Sequence, residues 1–137
     1  MQYRHSDGVY RDYPEQKISK ALTEPERPKI LGVKHDAQKA PIDLIPYDAL
    51  VEIAKVLQAG EIKYGTANWA NGIEIRRLIS AAMRHIGQFN NGEDLDEETQ
   101  TLHIANAATN LIFAIWMMKN RPDMDNRWIK NIQGNKK

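Results

Sequence analysis

Residues 84–118 read "RHIGQFNNGEDLDEETQTLHIANAATNLIFAIWMM", and the change of character along this stretch decides the fold. Five carboxylates, Glu93, Asp94, Asp96, Glu97 and Glu98, fall within six positions. Beyond them Leu102, Ile104, Ala105, Ala108, Leu111, Ile112 and Ile115 surround a polar stripe of His103, Asn106 and Asn110, spaced i, i+3, i+7. Apolar residues on so many faces belong to a helix packed against others. Acids suit the positive end of a helix dipole, so the pattern predicts a helix over 96–119, opened by the acidic turn and stopped by Pro122.

Working outward, Ile75, Leu78, Ile79, Ala82 and Ile86 give a second amphipathic helix over 74–90, which "NNG" at 90–92 terminates. Leu50, Ile53, Ala54 and Leu57 repeat at i, i+3, i+4, i+7 after Pro46 and predict a helix from 46 to about 59, ended by Gly60 or Gly65. Between these two lies the turn-rich "YGTANWANG" at 64–72. No stretch alternates with period two long enough for a convincing strand, and no internal repeat is present. Residues 1–33 are polar and interrupted by Pro14, Pro25 and Pro28, which suits an irregular arm with room for a short hairpin or extended piece. The expected architecture is mainly α: a bundle of three or four helices over 34–120, an arm over 1–33 and a basic, polar tail over 121–137 anchored at Trp128 and Ile129.

Composition narrows the function classes. A chain of 137 residues is most economically one domain, and its 19 basic against 18 acidic residues leave a formal charge of +1. That balance argues against stable nucleic-acid binding. The absence of cysteine removes disulfides, thiolate zinc sites and cysteine nucleophiles, so any metal must sit on oxygen or imidazole. The longest apolar run, 111–118, is too short to cross a bilayer. The expectation is a soluble, cytoplasmic protein without a membrane partner.

The acid cluster fits hard divalent cations such as Mg2+ or Mn2+, which take carboxylate oxygens and commonly bind together with substrate phosphates. Asp94 and Glu97 have no evident reason to face inward. On the second helix Arg77 and Arg84 share a face with Ser80 and Gln88, bordered by His85, and an inward-turned guanidinium grips phosphate with two prongs. Lys34, Lys39 and Lys63 are further cations. Tyr64, Asn68 and Trp69 have the chemistry to sandwich a base and read its edge. Each feature also has an ordinary structural explanation: solvated arginines, an acid-rich helix start, buried Asn and His that bond one another, and aromatics that cap a core. Taken together, acids for metal, cations for phosphate and aromatics for a ring point to a nucleoside triphosphate.

The ordered run "KHDAQKAPIDLIP", "GEIKYGTANWANG", "AAMRHIGQFNNGEDLDEET" and "LHIANAATNLIFA" resembles the phage-type dATP/dGTP diphosphohydrolases, MazG-like enzymes of the all-α nucleotide pyrophosphohydrolase group, over residues 34–118. The resemblance implies a MazG-like helical bundle. It also implies metal-dependent hydrolysis of dGTP or dATP to the monophosphate and pyrophosphate, serving 2-aminoadenine DNA synthesis or control of the nucleotide pool. Matching positions are Asp36, Lys39, Asp43, Lys63, Tyr64, Asn68, Trp69, Arg84, His85, Gly92, Glu93, Asp96, Glu98 and His103. From these, Glu93 and Asp96 are expected to be catalytic, with Glu93, Asp96, Glu98, His103 and Asn106 as metal ligands. Lys39, Lys63, Tyr64, Asn68, Trp69, Arg84 and His85 are expected to bind substrate. MazG-like enzymes carry paired ExxE and ExxD motifs, whereas the last helix here has His103 and Asn106 at the corresponding places, with Glu52 or Glu61 available to complete the set. Two or three ions are implied, Mg2+ or Mn2+ with Co2+ as an alternative, in a homo-oligomer, dimer or tetramer.

Two rivals come from other classes. An HD-type phosphohydrolase would release triphosphate, and His35–Asp36 supplies the dipeptide but without flanking helical His and Asp positions. A noncatalytic helical adaptor would use the apolar helix faces alone.

Overall fold

The computed structural model describes residues 2–4, 10–12 and 32–129; the expectations for the remainder of the arm and for 130–137 lie outside these. The chain divides into two units, Met1–Leu44 and Ile45–Lys137. In the first, strands β1 (Gln2–Arg4) and β2 (Tyr10–Asp12) pair antiparallel with Tyr3 opposite Arg11. Further along, Lys39 N–H closes a turn on the Asp36 carbonyl at 2.9 Å, and Ile42–Leu44 makes one 3-10 turn.

The second unit holds three helices among the described residues: α1 (Tyr47–Tyr64), α2 (Ile75–Asn90) and α3 (His103–Asn120). The protein is mainly helical, as its periodicity predicts. Helix α1 runs past Gly60, where a mid-helix glycine costs only about 1 kcal/mol, and stops at Gly65, whose φ of 89° admits no ordinary side chain. The Gly65 N–H then bonds the Glu61 carbonyl at 2.8 Å.

Helix α2 buries Ile75, Leu78 and Ala82. Helix α3 buries small residues, Ala105, Ala107 and Ala114, together with Met117. α2 packs along α3, and α1 also touches α3. Ile75, Leu78, Ala114 and Met117 form the core centre, surrounded by Trp69, Ile73, Phe113, Trp116, Met118 and Met124. No residue of α1 is buried, and Leu50 and Leu57 are each 39% exposed.

The start of α3 departs from expectation. The acids do not form its first turn, and residues 96–102 are not helical. Asp96 is the cause: its Oδ2 accepts from the Thr99 N–H at 3.1 Å and the Thr99 hydroxyl at 2.7 Å, closing a separate turn. Gln100 then adopts φ 55°, which breaks any helical continuation. A bridge between Leu95 and Leu102 closes the loop, and α3 begins at His103. The acids are therefore carried on a tight loop between α2 and α3, rather than stacked on a helix end.

Beyond α3, the Pro122–Met124 turn folds back. Arg121 Nη1 donates to the Asn71 carbonyl at 2.8 Å, and Asn126 Oδ1 accepts from the Arg76 N–H at 3.0 Å. The Arg76 guanidinium lies 3.7 Å from the Trp128 ring centroid, a cation–π contact that seats the tail residue Trp128 on α2.

Candidate metal centre

The loop and the two helices that flank it enclose an open cleft of about 340 Å³ lined by Gln88, Glu93, Asp96, Glu97, Glu98 and His103. Helix α2 supplies Gln88, α3 supplies His103, and the loop supplies the four acids. Glu97 thus lines the cleft, contrary to expectation. Gln88 was expected on the arginine face, not as part of the acid cleft.

Two imidazoles meet at the back of this cleft. His85 Nδ1 and His103 Nδ1 are 2.9 Å apart, and one nitrogen of each ring and a carboxylate oxygen of Asp96 all lie within 4.8 Å of one another. His103 is only 1% exposed. Its Nε2 stands 3.5 Å from Glu93 Oε2, close enough for an ion pair but not aligned as a hydrogen bond, so this buried nitrogen has no hydrogen-bond partner. A buried polar atom left so costs about 1–3 kcal/mol. Burial, and next the adjacent His103 ring, push the His85 imidazole below its ordinary value, with Asp96 pulling the other way. The Thr99 hydroxyl holds the Asp96 carboxyl below the usual carboxylate range, against the opposing effect of burial.

Behind the acids runs a chain of hydroxyl and amide groups. The Thr99 hydroxyl meets the Thr101 hydroxyl at 2.7 Å, and Asn106 Nδ2 donates to Thr101 Oγ1 at 2.8 Å and to the Leu102 carbonyl at 2.9 Å. Asn106, expected among the ligands, is outside the cleft lining and braces the loop that carries the acids. Asn110 Nδ2 returns to the Asn106 carbonyl at 2.9 Å. Sequence reasoning passed over Thr99 and Thr101. The signal for them was the Asp96–Thr99 spacing, which matches a side-chain cap on a backbone N–H three residues on.

The cations and aromatics are more scattered. At the end of α1, Lys63 Nζ donates to Glu98 Oε1, which raises the lysine's pKa and ties α1 to the acidic loop. Tyr64 is exposed beside it, with Lys63 Nζ 5.3 Å from its ring centroid. Trp69 is occupied in the core: it stacks on Phe113 with centroids 4.9 Å apart and meets Trp116 edge-on at the same distance. In these contacts Trp69 is half-buried. Asn68 is exposed at the head of a 3-10 turn, and Arg77 and Arg84 are exposed on α2. Lys39, His35 and Asp36 are exposed residues of the first unit, and neither His35 nor Asp36 lies in a helix.

The donor set fits a divalent cation: hard carboxylate oxygens at the mouth, paired imidazoles behind, and a buried nitrogen whose own hydrogen bonding is unmet. Fold and site thus define a small all-α domain with a candidate metal centre between two helices. The family described as dATP/dGTP diphosphohydrolase, N-terminal, matches residues 30–127. A protein of Salmonella phage PMBT28 named dATP/dGTP diphosphohydrolase is 43% identical over 104 residues, covering 75% of this chain and 36% of the relative. The chain belongs to the dATP/dGTP diphosphohydrolase N-terminal family. It spans little more than a third of that curated relative's length. No solved structure matches.

Proposed function

We propose that this chain hydrolyses purine deoxynucleoside triphosphates, dGTP or dATP, to the monophosphate and pyrophosphate with a divalent metal. The observation that carries this reading is the convergence of Glu93, Asp96, Glu98 and His103 on one cleft inside the segment that matches the family. Glu93, Asp96 and Glu98 hold Mg2+ or Mn2+, in a set of two or three ions, with His103 behind them. Bound there, such ions supply Lewis-acid neutralisation of triphosphate charge. Glu93, exposed at the cleft mouth, accepts the proton of the attacking water. Lys63 and Arg84 meet the charge that gathers on the departing pyrophosphate.

The working unit is a homo-oligomer, dimer or tetramer. Helix α1 has no fully buried residue, and Ile62, Ile79, Met83, Ile86 and Ile115 stand exposed, apolar surface that a subunit contact would cover. No described helix is long and apolar enough to cross a membrane. The place of action is the cytoplasm, the host's if the chain is phage-encoded, and the role is purine nucleotide metabolism, either in 2-aminoadenine DNA synthesis or in pool control.

The test is chromatographic separation of products from each deoxynucleoside and ribonucleoside triphosphate, with Mg2+ or Mn2+ present. Monophosphate and pyrophosphate from dGTP or dATP support the proposal. Release of triphosphate, or no turnover of any nucleotide, overturns it.

A further inference from the structure

We propose that His85, His103 and Asp96 form a binding site for one late first-row transition ion, Co2+, Ni2+ or Zn2+, which they take in preference to Mg2+. The chemistry of the three groups sets them apart from the outer acids. Magnesium favours oxygen ligands and keeps much of its water, whereas imidazole nitrogen suits the later divalent ions, whose affinities rise along the series toward copper. A cleft meant only for Mg2+ has no use for two rings at its back.

Geometry supports the assignment. Ligand atoms of all three residues already lie within 4.8 Å of one another. The two Nδ1 atoms are 2.9 Å apart. Nitrogens bound at the usual 2.0–2.1 Å on adjacent corners of a six-coordinate ion would be separated by about 3.0 Å, against roughly 3.4 Å for a tetrahedral ion. The observed spacing therefore matches two neighbouring positions of a six-coordinate ion.

Hydrogen bonding gives an independent reason. A 2.9 Å contact between ring nitrogens can also be a hydrogen bond, in which one ring donates and the other accepts. Yet that pairing leaves the buried Nε2 of His103 unmet whichever way the proton points. If His103 donates, Nε2 is a bare lone pair facing a carboxylate. If His85 donates, Nε2–H faces Glu93 Oε2 at 3.5 Å without forming a hydrogen bond. A cation held by both Nδ1 atoms replaces the ring-to-ring bond and fixes the tautomer: His103 then carries its proton on Nε2, facing the Glu93 carboxylate, the kind of outer partner that a metal-bound imidazole ordinarily has. The loop is also built to present Asp96 toward the rings: Thr99 fixes its carboxylate, and Asn106 fixes Thr101 behind it.

The proposal rests on the cleft being a metal site, as in the proposed function, but not on which bond is cleaved. It is tested on the full chain, stripped with chelator and free of nucleotide. Titration with Co2+, followed by calorimetry and visible absorption, should give one tightest ion per chain in a ligand field containing nitrogen, ahead of weaker ions on the outer acids. Half-displacement of that ion should need at least about 100-fold excess Mg2+, given the nitrogen ligands. His85→Asn, at a half-buried position, should weaken Co2+ binding at least about 10-fold, the lower end of what even an outer partner of a ligand is worth.

Equal competition by Mg2+, or unchanged Co2+ affinity in His85→Asn, would reduce the ring pair to an internal hydrogen bond and overturn the assignment. Should the variant lose its helical circular dichroism, nitrogen hyperfine splitting in the electron paramagnetic resonance of Cu2+ bound to the wild-type chain decides instead. Coupling to two imidazoles supports the site, and none refutes it. Mg2+-selective binding would leave the hydrolase reading standing, and failure to hydrolyse any nucleotide would leave this metal assignment standing.

Discussion

Asp96 Oδ2 takes two hydrogen bonds from Thr99, one from its N–H at 3.1 Å and one from its hydroxyl at 2.7 Å, and this pair fixes the loop that carries the acids. The bonds hold the Asp96 carboxyl below its ordinary value. A carboxyl depressed on folding stabilises the protein above its unfolded value, roughly 3.9, and that contribution disappears as pH falls through the lower folded value. Thr99→Val should therefore cost about 1 kcal/mol at neutral pH, with the gap to wild type shrinking below about pH 4. Urea unfolding of chelator-treated protein at pH 7 and at pH 3 measures it. A gap equal at both would assign the loss to packing instead.

Glu93→Gln and Asp96→Asn should each remove most nucleotide turnover. Neither lies within a helix, so the helical circular dichroism should hardly change. Asp96→Asn should melt somewhat lower than Glu93→Gln, because only Asp96 anchors a turn. Full activity in either variant would return that acid to the solvated surface.

On α2 the two exposed arginines separate charge from geometry. Arg84→Lys retains the charge but loses the planar fork, so kcat/KM should fall by roughly 10-fold or more while the melting curve stays put. Arg77→Lys should matter less, because Arg84, next to His85 in the chain, is the arginine whose charge bears on that ring. Equal losses for the two, or none, would mean that α2 offers its arginines to water.

Gly72 sits at φ 109°, and a Cβ there would lie 2.9 Å from Arg121 Nη1 and 3.0 Å from Met124 Sδ. Arg121 has little room to yield, since it is bonded to the Asn71 carbonyl and paired with Asp123. Gly72→Ala should cost roughly 1–3 kcal/mol from backbone strain alone. Thermal unfolding reads this directly, and an unchanged midpoint would show that the loop readjusts.

The ease of reading the helices from sequence followed the strength of their local signals. Helix α2 was legible almost to the residue, because its apolar spacing and its Asn-Asn-Gly stop agree. Helix α1 was read short because Gly60 looks like a terminator, although only Gly65 has the backbone conformation of one. The start of α3 was misread for a different reason. Acids at a helix start and an aspartate that caps its own turn have nearly the same composition, and the left-handed Gln100 that separates them leaves no mark in the pattern. The acids themselves were plain from their density. The meeting of His85 with His103 was not, because it depends on how α2 and α3 pack. Likewise nothing local announces that Trp69 packs against Phe113 and Trp116.

The N–H of Arg76 finds its acceptor in Asn126, fifty positions downstream, while Glu74, at the helix threshold, offers α2 no side-chain cap. During synthesis on the ribosome, His85, Asp96 and His103 emerge close together, but the residue that secures the helix carrying His85 arrives only after all of α3 has been made. The nascent chain therefore gathers its ligands before their frame is fastened, and a gene fragment ended at Asn120 would encode every group of the cleft without the clasp that steadies it.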